Sequence, residues 1–146
     1  MGRIIATAAA LGLAGAAIAH EFWIEPATFR PGVDQNVGIR HFVGDGFPGE
    51  ARARDPRRLE RFVAAGTAWE APIPGADGAD PAGVHRFSRP GVQVLGYRST
   101  PVSHTMEPEK FEKYLKEEGL GHIVTVRAER GESGKPGREM YSRCAK

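Results

Sequence analysis

The residues best suited to chemistry in this chain are its five histidines, and His20 stands where processing would change what it can do. Ala17-Ile18-Ala19 fits the small-x-small pattern of signal cleavage, so a cut after Ala19 would leave His20 as the first residue. An α-amino group has a pKa near 7.7–8.0, against about 10.4 for lysine, and gives up its proton to a metal far more readily. That nitrogen and Nδ1 of the same side chain can close a six-membered chelate ring. One further imidazole would complete the T-shaped nitrogen set of a histidine brace, which suits Cu(II) and accepts Ni(II). The other N-terminal copper and nickel motif needs histidine in third place, where this chain has Phe22.

Two histidines compete to be the second ligand. If the turn after "HEFWIEP" centres between Arg30 and Pro31, then Ile24 opposes Val37, Phe22 opposes Ile39 and His20 opposes His41, all on one face. Directly opposed Cβ atoms lie about 4.5–5.5 Å apart, close enough for two imidazoles to share an ion. His104, in the loop before the helix, is the next candidate, while His85 and His122 read as ordinary surface or edge residues. No His-x-x-x-His spacing marks a three-histidine zinc site.

The elements that must position these groups are mostly strands. "HEFWIEP" alternates, with Phe22 and Ile24 on one face and Trp23 on the other; "VGIRHFVG" alternates with Val37, Ile39, His41 and Val43 together. "RRLERFVAA" reads as a strand, and "PIPGADGADPAG" as a long turn-rich loop. "VHRFSRPGVQVLGYRS" reads as two strands about a turn at Arg89-Pro90-Gly91. "EPEKFEKYLKEEGL" changes period: Pro108 opens a short amphipathic helix, Phe111, Tyr114 and Leu115 share a face, and Gly119 ends it. "HIVTVRAERGE" fits a strand by its β-branched residues and a helix by its stripe, and "REMYSRCAK" begins a further strand.

Composition narrows the function. Arg3 and the apolar run from Ile4 to Ile18 make residues 1–19 a secretory signal peptide, too short and too alanine-rich for a membrane span. Export to the periplasm follows, with no stable membrane insertion after cleavage. Loss of Arg3, the one charged residue among those nineteen, takes the formal charge from +2 to +1, which gives no reason to expect nucleic acid. The arginines of "RARDPRRLER" are diluted by Asp55 and Glu60 and lack interleaved aromatics, so they read as a solvated strand face. A single cysteine, Cys144, rules out an internal disulfide framework and has no local catalytic setting. The helix carboxylates Glu109, Glu112, Glu117 and Glu118 read as another solvated face, and no acid/base pair suggests an enzyme.

"AHEFWIEPATFRPG", "VGDGFPGE", "KFEKYLKEEGL", "RAERGESGKPGRE" and "YSRCAK" resemble, in order, successive stretches of a bacterial family of uncharacterised periplasmic proteins, the NikM-like component of nickel and cobalt ABC uptake systems. The resemblance implies a mostly β fold, an antiparallel sandwich of transthyretin or immunoglobulin-like kind, with one short helix. It also implies that residues 20–146 form a domain incomplete at its C-terminus, because the family continues through further strands. The expected function is capture of a divalent transition metal (nickel or cobalt by resemblance, copper by brace chemistry) by His20 with His41 or His104. An inner-membrane metal ABC transporter would be the recipient. The alternative is a metal-free structural or adhesion module of sandwich type, binding a protein or glycan through Trp23, Trp69 and the glycine-rich loops.

Overall fold

The computed structural model describes residues 21–146; residues 1–19, expected to be a signal peptide, and His20 lie outside the described residues. The fold is mostly β and sandwich-like, built from antiparallel sheets with two helices. In the first sheet β1 (Glu21–Pro26) pairs along β2 (Gln35–Gly44). The last part of β2 also takes β3 (Glu50–Arg52), and its first part takes β6 (Gly83–Phe87). The second sheet has the order β10 (Cys144–Ala145), β7 (Val94–Ser99), β4 (Leu59–Gly66), β5 (Trp69–Pro72).

The sheets meet through the alternation the sequence carries. Val37, Ile39 and His41 point inward from β2, and Phe62, Ala64 and Tyr97 point inward from β4 and β7. Ile39, Phe62, Ala64 and Tyr97 form the main core with Ile73 and Ala82 from the long loop. Burial of such side chains contributes about 25 cal/mol per Å² of apolar surface removed from water. Gly83 is required at its place: a Cβ there would stand 2.6 Å from Ile73 and 2.8 Å from Phe62.

A smaller unit hangs from this sandwich. β8 (Val102–Met106) pairs with β9 (Gly137–Tyr141), and the connection between them holds α1 (Pro108–Glu117) and α2 (Gly121–Glu129). Phe111 and Leu115 of α1 pack on Met106, with Tyr114, Ile123 and Val124 alongside. Gly119, at φ 73°, lets the chain turn between the helices.

The two strands about Arg89-Pro90-Gly91 are present as read, β6 pairing with β2 and β7 with β4 across the sandwich. Three expectations need correction. The segment from Gly121 is a second helix, so there are two helices where one was expected; Ile123 and Val124 settle it by packing against α1. Arg54 leaves the solvated face: its guanidinium donates to the Ala82 carbonyl at 3.0 Å and sits 6.0 Å from the Phe62 ring centroid. Glu112 likewise turns inward, 3.0 Å from Arg127, with both side chains largely covered. No helix among the described residues is long and apolar enough to cross a membrane.

Candidate functional site

His41 sits where the alternation of β2 puts it, on the inner face of the sandwich, with 4% of its surface exposed. Its imidazole is packed edge-on against aromatic rings, with centroids 5.5 Å from Phe22, 5.0 Å from Phe62 and 4.8 Å from Tyr97. Its Nε2 is closed to solvent and has no hydrogen-bond partner. Burial drives its pKa down to about 4; the nearby charge of Arg54 adds to the fall and Asp80 opposes it. His41 is therefore a neutral ring at physiological pH.

The first hairpin exists, but its register differs from the expected one. Glu21 pairs with Gly44, Phe22 with Val43 and Ile24 with His41. Paired numbers sum to 65 instead of 61, a slip of two residues on each strand that keeps every side chain on its face. The cause is the turn. Residues 27–34 form a wider connection, in which the Asp34 N–H donates to the Phe87 carbonyl of β6 at 2.8 Å and the Gly32 N–H to Gln35 Oε1 at 2.8 Å. His41 thus faces Ile24, in the middle of β1.

His104 lies on β8, in a different sheet, with Nδ1 3.6 Å from the Glu139 carboxylate. Glu139 also holds the Tyr114 hydroxyl, whose pKa is pushed up to about 12 by burial first and by that hydrogen bond second. The structure does not bring His41 and His104 into one cluster: among the described residues no three His, Cys, Asp or Glu side chains gather as a metal site would require. Cys144 is exposed on β10. Trp23 and Trp69 are half-buried, Trp23 stacked on Phe42 and Trp69 stacked on His85 with the Arg89 guanidinium 4.9 Å from its ring centroid.

What the fold assembles at His41 is a pocket of about 480 Å³. Phe22, His41, Val43 and Tyr97 form an aromatic and apolar floor, and Arg52, Arg58 and Arg143 stand on its walls beside Asp55. Asp55 is already engaged: it caps the short 3-10 helix Pro56–Arg58 by accepting from the Arg57 N–H at 3.0 Å, and it pairs with the Arg57 side chain. Sequence reasoning missed this pocket because its arginines come from two segments, one read as a solvated face and one, "YSR", given no role. Their shared signal, arginine beside strands with aromatic inner faces, appears only once the sheets are paired.

No family model, curated protein or solved structure matches the chain.

Proposed function

We propose that this protein is an exported, non-catalytic domain that captures a divalent transition metal for uptake, with the amine and imidazole of His20 as the anchor. The observation that carries the reading is the pairing of β1 with β2. β1 begins at Glu21, the next residue, and all six of its residues are paired with β2. A chelating residue fixed to a paired strand loses less conformational freedom on binding than one on a free end, and preorganisation of that kind raises affinity. The resemblance to the nickel and cobalt uptake family supports the same ion class, and an inner-membrane transporter is the natural recipient. His41 faces Ile24 across the hairpin and its Nε2 is closed to solvent, so the reading rests on His20 as the anchor. The test is metal titration of chain beginning at His20 against chain carrying one added N-terminal alanine, which separates the amine from its imidazole.

A second reading, a metal-free module that binds a protein, draws support from one patch. Phe29 and Val33 of the β1–β2 connection and Val92 of the β6–β7 connection are exposed around one shallow pocket, and exposed apolar clusters mark contact surfaces. The same titration separates the two.

A further inference from the structure

We propose that the pocket over His41 binds a small organic carboxylate, with its anionic end on the arginines and its apolar body on the aromatic floor. The inference is independent of the metal reading, and neither needs the other.

Charge comes first. Three guanidinium groups line the pocket and one carboxylate, Asp55, stands among them. Asp55 is matched by Arg57, which lies outside the lining, and Arg52 pairs with Glu50 at 2.7 Å in an exposed contact that water and salt weaken. Arg58 makes no ion pair within 4.0 Å among the described residues, although its charge helps to lower the pKa of Asp55, which Arg57 chiefly holds. The ring of His41 is neutral and cannot add to or offset this field. The groups behind it are Arg54, which adds positive charge, and Asp80, which is held by Arg40. The pocket is electropositive and suits an anion better than a bare metal cation.

Donor chemistry narrows the anion. Two of the pocket's three hydroxyls are committed elsewhere, Tyr97 donating to the Arg58 carbonyl at 3.3 Å and Ser99 to the Thr100 carbonyl at 3.1 Å, which leaves that of Tyr141 beside three guanidinium groups. Guanidinium forks are therefore the principal donors, and their planar geometry matches a carboxylate in bidentate fashion. Arg143 is already oriented: its guanidinium lies 5.9 Å from the Phe22 ring centroid and 5.8 Å from that of Tyr141, and its backbone N–H donates to Ser99 Oγ at 2.8 Å. Inorganic phosphate would leave the floor of Phe22, Val43 and Tyr97 uncovered. A cavity of about 480 Å³ has room for an apolar body besides the charged group.

The experiment follows backbone amide shifts by NMR while benzoate, neutral benzamide or inorganic phosphate is titrated into the purified chain and into its Arg58→Gln variant. Benzoate is expected to shift the amides of Phe22, Tyr97 and Arg143 saturably, and to weaken by about tenfold in the variant, as loss of a charge-assisted pair requires. Benzamide and phosphate are expected to produce no saturable shift there. Binding of benzamide as tight as benzoate, phosphate binding as tight as benzoate, unchanged affinity in a folded variant, or no saturable response to benzoate would each overturn the proposal. Should the variant fail to fold, the wild-type chain decides alone: benzoate affinity must fall as sodium chloride is raised, and salt-independent binding is incompatible with an arginine-held anion.

Discussion

Replacing His41 by leucine should remove most of the loss of stability between pH 7 and pH 5. The sign follows from the burial of the ring. Its folded pKa of about 4 lies below the 6.5 of a free imidazole, so over that interval the unfolded chain binds more protons than the folded one. The contribution is fully present above pH 6.5, declines as pH falls, and is gone once pH drops below about 4. The whole difference is worth about 3 kcal/mol, and linkage puts about 2 kcal/mol of it between pH 7 and pH 5. Asp55 and Asp80, whose arginine partners lower their pKa from 3.8, act only at lower pH and do not blur the window. Urea unfolding followed by the fluorescence of half-buried Trp23 and Trp69 reads the effect at pH 7, 6 and 5. Leucine fills a similar volume and removes a buried nitrogen that has no partner, so stability at pH 7 should change by no more than about 1 kcal/mol. An unchanged pH slope in the variant, or a loss of several kcal/mol at pH 7, would refute the account of His41 as a neutral, unpartnered wall.

Further predictions concern the smaller unit and the first hairpin. A Cβ on Gly137 would stand 2.0 Å from the Phe111 ring, so Gly137→Ala should cost about 3 kcal/mol by unseating that ring, read as a lowered Tm. Arg127→Ala should cost about 2 kcal/mol or more, because Glu112 is left covered and the Glu132 and Lys135 carbonyls lose their donor; hydrogen exchange should rise first in α1 and α2. Gly49, at φ 65°, has its missing Cβ 2.3 Å from the Trp23 ring. Gly49→Ala should therefore shift the emission of Trp23 toward that of an exposed indole at a cost of about 2 kcal/mol.

Period-two alternation made β1 and β2 legible, and it grouped their faces correctly: Phe22, Ile24, Ile39 and His41 all turn toward the sandwich interior. Register was not legible. It depends on where the 27–34 turn is anchored, and that anchor, the Phe87 carbonyl, belongs to a strand fifty residues away. Partner choice was hidden for the same reason, since "SRPG" joins paired or crossing strands equally well. The amphipathic helix of Phe111 and Leu115 was plain because its stripe is narrow, whereas the second helix carries apolar residues around its circumference and is fixed by packing on α1. The pocket was hidden because it is tertiary, made of β1, β2, β7 and the segments that carry Arg52, Arg58 and Arg143.

The claim that a metal is anchored by His20 is tested most directly by calorimetric titration of Ni(II), Co(II) and Cu(II). The two proteins are the chain beginning at His20 and the same chain with one alanine added before it. The account predicts tight binding to the first that is lost in the second, with the preferred ion choosing between nickel or cobalt uptake and copper handling. Equal binding to both, or binding to neither, would contradict it.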